Sequence, residues 1–138
     1  MSDEVVKKAK KLIEEVVIGD LATVEQGRPR VRPMAMKWVG ERELWFATYA
    51  ASRKVVQINS NAAVEVCFHD GEWSHVRLSG RASTTQDDAP RKEFWGMVKE
   101  LGDYFSGPTD PDFTLVKIAL ERIEYMSAGA HEYQTHDF

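Results

Sequence analysis

Apolar positions along the chain fall at two different periods. Val5, Ala9, Leu12, Ile13, Val16 and Val17 recur at helical spacing, with Lys7, Lys8, Lys10, Lys11 and Glu14 between them. The first eighteen residues therefore predict an amphipathic helix, with Ser2-Asp3 as its N-cap and Gly19-Asp20 as its end. From Leu21 onward the period shortens. Residues 21–25 read as a strand and Gln26-Gly27-Arg28-Pro29 as the turn after it. Residues 30–39 alternate basic with apolar side chains, and Pro33 inside that run signals an edge, a bulge or an interrupted ladder. An aromatic-rich strand over 43–48 follows, then a short helix over 52–60 with Val55, Val56 and Ile58 as its apolar contacts. A fourth strand over 62–68, an Asp70-Gly71 hairpin turn and a long fifth strand over 73–84 come next. Asp87 or Asp88 caps a helix that opens at Pro90 and runs to Leu101. After a loop over 106–112, residues 113–125 form the last strand, and the tail from Ser127 reads as polar and loosely held.

Six strands joined by tight turns and interrupted only by short helices predict a mainly β fold, a six-stranded antiparallel barrel with flanking helices. No internal repeat is present. A length of 138 residues fits a single domain. With 43% hydrophobic and 29% charged residues the chain is globular in composition, which excludes disordered, collagenous and coiled-coil classes. Cys67 is the sole cysteine and has no internal disulfide partner, as suits a reducing compartment. The 18 Lys and Arg against 22 Asp and Glu, a net charge of −4, argue against a protein that coats nucleic acid but leave room for a local basic pocket. Glu14 and Glu15 interrupt the N-terminal apolar stretch, and no run reaches the roughly 18 apolar residues of a membrane span. The expectation is a cytoplasmic protein with no membrane or nucleic-acid partner.

Candidate chemistry concentrates in Phe46-Ala47-Thr48-Tyr49-Ala50-Ala51-Ser52-Arg53-Lys54. A strand ends, a turn of small residues follows, and a helix opens with two cations in its first turn. Free N–H groups and the positive dipole end attract a phosphate there. Cations at that end oppose the dipole and cost a few tenths of a kcal/mol unless an anion offsets them. The alternative is two side chains pointing into water. The run is not a nucleotide P-loop, because Gly-x-x-x-x-Gly-Lys-Ser/Thr is missing. Arg28, Arg30, Arg32 and Lys37 lie on or beside one hairpin; Arg30 and Arg32, two apart, share a strand face, either solvated or matched by an anion.

Leu21-Ala22-Thr23-Val24, Gly27-Arg28-Pro29, Arg32-Pro33-Met34, Leu44-Trp45-Phe46-Ala47-Thr48 and Ser52-Arg53-Lys54-Val55, in this order and spacing, resemble the pyridoxamine 5′-phosphate oxidase-like, FMN-binding split-barrel family. Val76-Arg77-Leu78-Ser79-Gly80-Arg81-Ala82 is similar to that family's next long strand. The stretch from Tyr104 to Val116, with Glu124-Tyr125-Met126, is similar to its general-stress-protein branch. The resemblance implies a split barrel that binds FMN at a homodimer interface, both subunits contributing to each site. It implies that Arg32 and Lys37 lie along the flavin and that Met34 and Ala35 meet the ring through main-chain groups. It further implies that Ala47 and Thr48 flank the ribityl chain, that Ser52, Arg53 and Lys54 hold the phosphate, and that His75 reaches the cofactor from the other subunit.

Two functions follow from the resemblance: a flavin-dependent oxidoreductase acting on a small molecule, with no side chain singled out as acid or base, or a non-catalytic flavin-binding stress protein serving as carrier or sensor. Vitamin B6 oxidases hold their substrate with an Arg-x-His motif near the C-terminus. The tail His131-Glu132-Tyr133-Gln134-Thr135-His136-Asp137-Phe138 has none, and Tyr104-Phe105-Ser106-Gly107-Pro108 lacks the arginine of their Tyr-Phe-x-Ser-Arg-Pro signature. Oxidation of pyridoxamine 5′-phosphate is therefore not expected. Met126 stands where the branch commonly has tryptophan. A haem-binding variant of the fold is disfavoured by Arg53-Lys54 at a phosphate-type turn. His131 and His136, five apart, are one residue too far for a zinc-protease motif, and Cys67, His69 and His75 read as a buried thiol with two surface histidines. Trp38, Trp45, Trp73 and Trp95 read as core or interface packing.

Overall fold

A computed structural model describes residues 2–138. Helix α1 (Ser2–Val16) leads into β1 (Ile18–Glu25), β2 (Arg28–Ala35), β3 (Lys37–Val39), β4 (Glu43–Tyr49), α2 (Arg53–Ser60), β5 (Ala63–His69), β6 (His75–Thr85), α3 (Asp88–Met97), a 3₁₀ turn (Lys99–Asp103), β7 (Phe113–Met126) and β8 (Gln134–Asp137). All pairings are antiparallel in the order β2-β1-β5-β6-β7-β4-β3, with β8 added to β7. The two ends of that path, β2 and β3, are consecutive in sequence and separated by Met36 alone. The sheet thus curls until its edges reach one residue, yet no ladder joins β2 to β3, and the barrel is left split rather than closed.

Among the described residues eight strands form where the hydrophobic pattern predicts six. The single run over 30–39 divides because the Met36 side chain is buried and its N–H donates to the Val17 carbonyl at 3.0 Å, which carries the chain from one end of the sheet to the other. Pro33 sits in β2, an edge strand, where its missing N–H leaves no gap in a central ladder. The polar tail is not loose throughout: Gln134–Asp137 pairs with Tyr125 to Arg122, and the Phe138 ring rests 6.4 Å from that of Trp38. The third predicted helix is also shorter than expected. It breaks at Val98, which is extended (φ −129°, ψ 107°), before the 3₁₀ turn begins.

Helix α1 ends at Val17, whose N–H reaches back to the Ile13 carbonyl at 2.8 Å and whose φ is +70°, an uncommon conformation for a β-branched residue. Gly19, the expected terminator, lies inside β1. Its lack of a side chain serves packing, since a Cβ there would stand 2.7 Å from the Phe68 ring. Gly80 marks the bulge between β6 and β7, where a Cβ would run into the Ala119 carbonyl.

Two apolar clusters result. The larger fills the barrel and takes Val5, Ala9, Leu12 and Ile13 from α1 as a plug against Leu21, Phe46, Phe68, Leu78 and Ile118. The smaller lies outside it, where Phe94, Leu101 and Phe105 cover Trp45, Phe113 and Leu115. Strand β4 alternates between them, Leu44 and Phe46 inward, Trp45 outward, so it is buried on both faces. Of the four tryptophans, Trp73 does not pack within the chain: it is 86% exposed, at φ +78°. No helix among the described residues is long and apolar enough to cross a membrane.

Candidate functional site

The end of β4 is tied down before α2 starts. Ala50 donates its N–H to the Asp112 carbonyl at 2.8 Å, and Ser52 donates to the Tyr49 carbonyl at 3.0 Å. Ser52 occupies the N-cap of α2 in extended conformation, but its hydroxyl makes no capping bond and instead stands 3.4 Å from the Thr48 hydroxyl. No acidic residue occupies the first turn of α2. Lys54 extends its amine back to Thr48, donating to Oγ1 at 2.9 Å. Burial is the main influence that pulls the Lys54 amine below the usual lysine range, and the charge of Arg32 adds to it. A half-buried ammonium beside a second cation, held by a neutral hydroxyl, is arranged to receive an anion.

Arg32 is the second cation, and it is held entirely by uncharged oxygens. One terminal nitrogen donates to Thr23 Oγ1 at 2.8 Å and to the Leu21 carbonyl at 3.3 Å; the other donates to Gln57 Oε1 at 2.6 Å. The buried Thr23 hydroxyl also donates to Gln57 Oε1, at 2.5 Å, and Gln57 Nε2 donates to Glu25 Oε2 at 3.2 Å. Glu25 in turn accepts from Arg30 Nε at 3.1 Å. Its carboxyl is held below the ordinary range, first by the Gln57 hydrogen bond. Burial lowers the Arg32 guanidinium, opposed by the Glu25 charge.

Two hollows meet at Lys54. One, about 590 Å³, is lined by Pro29, Arg30, Val31, Arg32, Arg53, Lys54 and Gln57: four cations and no carboxylate. The other is a largely apolar cleft of about 730 Å³, within the size range of small-molecule sites. Met34, Ala35, Lys37, Ala47 and Thr48 form one side of it, and Phe94, Val98, Leu101, Tyr104 and Phe105 the other. The Tyr49 and Phe105 rings, 5.0 Å apart, join the two sides. Val17 and Ile18, exposed where α1 passes into β1, complete the rim.

Nine of the ten sequence-predicted positions therefore gather here. Arg32 and Arg53 line the basic hollow; Met34, Ala35, Lys37, Ala47 and Thr48 line the cleft; Lys54 lines both; and Ser52 stands beside Thr48. His75 does not join them. It sits opposite Met126 and His69, with Nε2 2.8 Å from the Tyr133 hydroxyl, and lines neither hollow. Among the described residues no three His, Cys, Asp or Glu side chains are grouped as a metal site needs. Sequence reasoning missed Thr23 and Gln57 and the whole far wall of the cleft. It also assigned Val56 to the core of α2, whereas Val56 is exposed and Gln57 is buried. Gln57 follows Lys54 by three residues, a spacing that puts them on one helix face and could have flagged it.

Residues 4–135 match the family model described as pyridoxamine 5′-phosphate oxidase like. General stress protein 26 of Bacillus subtilis (strain 168) is 25% identical over 130 residues, 91% of each chain. Among solved structures, a Clostridium acetobutylicum protein related to that stress protein superposes with a TM-score of 0.84 at 22% identity, over 99% of this chain and 96% of its own. General stress protein 26 of Bacillus anthracis str. Sterne gives 0.76 at 24% identity, over 94% and 98%.

Proposed function

The chain belongs to the pyridoxamine 5′-phosphate oxidase-like family, and we propose that it binds FMN as a homodimer with the flavin at the subunit interface and acts as a flavin-dependent oxidoreductase on a small molecule. The observation that carries this reading is the junction at Lys54 of a carboxylate-free basic hollow with an apolar cleft. A phosphate monoester, bearing about −1.5 to −2 charges at neutral pH, suits the first. A flat, mainly apolar ring suits the second.

The residues fit the cofactor in detail. Lys54, Arg53 and the Ser52 hydroxyl would hold the phosphate; Arg32, expected along the flavin, lines the basic hollow and not the cleft, and would add its charge to the phosphate instead. Met34 and Ala35 would meet the ring along the β2 edge, Lys37 would supply a donor near its polar side, and Ala47 and Thr48 would flank the chain between ring and phosphate. When bound, FMN supplies hydride or single-electron transfer at its ring. Tyr49, Phe105 and Tyr104 line the cleft, and their rings would limit the access of water to a substrate lying there. His75, which lines neither hollow of its own chain, is assigned to the cleft of the partner. Val31 in the lining of the basic hollow and Val56 on α2 are 69% and 65% exposed, and a partner subunit seated there would cover them.

The test is spectroscopic. The purified protein with added FMN should show a bound-flavin absorbance and quenched flavin fluorescence at one flavin per chain. Bleaching by NADH or NADPH, with colour returning when an acceptor is added, identifies an enzyme. Binding without any turnover identifies a carrier, and no binding ends the proposal.

A further inference from the structure

Gln57 is a buried amide at a place where α2 otherwise presents Val55 and Ile58 to the core. An apolar side chain would pack there without needing partners, so the position calls for a polar account. Its geometry supplies one. The amide stands between a carboxylate and a guanidinium: Nε2 donates to Glu25, and Oε1 accepts from Arg32 and Thr23. The hydrogen bonds fix which end is which, because the carboxylate can only accept and the guanidinium can only donate.

We infer that Gln57 is a positioning residue that keeps Glu25 from pairing with Arg32 and so leaves the Arg32 charge free for the anion of the basic hollow, an inference that rests on the FMN-phosphate reading above. Glu25 is one amide away from Arg32, and a bidentate Arg–carboxylate pair is among the strongest contacts open to either group. Were it to form, the hollow would lose one of its cations to an internal partner. The present arrangement prevents this twice over. Gln57 and Arg30 occupy the two oxygens of Glu25, and Thr23, Gln57 and the Leu21 carbonyl orient Arg32 without neutralising it.

The experiment compares FMN with riboflavin, which lacks the phosphate, by fluorescence titration of full-length variants. In Gln57→Leu, Glu25 is released onto Arg32, and FMN affinity should fall about tenfold, as for the loss of one charged hydrogen bond. Riboflavin affinity should stay within about twofold. Adding Glu25→Gln to that variant should restore FMN binding, a rescue that a packing role for Gln57 does not produce. Gln57→Glu keeps the size of the side chain and places a carboxylate directly on Arg32. It should weaken FMN selectively as well, and it serves where Gln57→Leu fails to fold. Equal loss of both flavins, or no rescue by Glu25→Gln, overturns the inference. A wild-type chain that prefers FMN while Gln57→Leu and Gln57→Glu bind it unchanged also overturns it, with the phosphate reading intact. A wild type that binds both flavins equally overturns the phosphate reading as well.

Discussion

The basic hollow and the apolar cleft share Lys54 but are built by opposite means. The hollow is assembled from two short runs of sequence, Pro29 to Arg32 on β2 and Arg53 to Gln57 on α2, and its character comes from charges kept apart by neutral hydrogen-bond acceptors. The cleft is assembled across the fold. The β2 and β4 strands give one side, and a wall beginning some forty residues beyond Lys54 gives the other, held by ring packing of Phe105 on Phe113 at 5.1 Å. Removing a buried residue from the cleft wall therefore damages the fold, whereas removing one from the hollow changes what the fold can hold.

The largest expected effect follows from that contrast. Phe105→Ala deletes a buried ring between Tyr49 and Phe113 and should lower unfolding stability by about 3–5 kcal/mol in urea denaturation. It should weaken FMN and riboflavin together. Lys54→Ala comes next and separates the two regions. FMN affinity should fall tenfold or more, about 1.5–3 kcal/mol, and riboflavin affinity should hardly move. Loss of both flavins in this variant would show that the hollow and the cleft are not separable.

A pH series sharpens the same division. Lys54 is depressed below the usual lysine range by burial and by Arg32, so the unliganded protein releases its proton earlier than an ordinary lysine does. A phosphate favours the charged amine, so FMN preference over riboflavin should fall as pH rises through that depressed value. It should also fall below about pH 6, where the phosphate takes up its second proton. Riboflavin binding should show neither limb. The smallest effect is expected at Tyr104, 63% exposed on the rim of the cleft. Tyr104→Ala should cost about 0.5–1.5 kcal/mol of binding, equally for both flavins, if the ring stacks there.

How much the sequence disclosed divides along the same line. The hollow was legible only in part: two cations opening a helix that has no acidic first turn are a local signal, whereas Arg32, expected along the flavin, meets them only through the fold. The far cleft wall was not, because periodicity reports which face of Phe94, Leu101 and Phe105 is buried but not what they cover. Gln57 escaped for a related reason. A polar residue in a short helix reads as exposed, and only the positions of Thr23, Arg32 and Glu25 give it a role. The six-strand expectation stopped short at β3, three residues long, and at β8, where all four residues are exposed or half-exposed. Both are defined by backbone pairing to a neighbour, which hydrophobic alternation does not record. The split in the barrel was half visible in Pro33, but its cause, the buried Met36 between the two edges, is a tertiary fact.

The most direct test of the central claim is the ratio of FMN to riboflavin affinity for the unmodified protein near neutral pH, measured by quenching of flavin fluorescence. A dianion seated among Arg32, Arg53 and Lys54 predicts FMN bound at least about tenfold more tightly than riboflavin. Equal affinities would contradict it, because the cleft alone would then account for all of the binding.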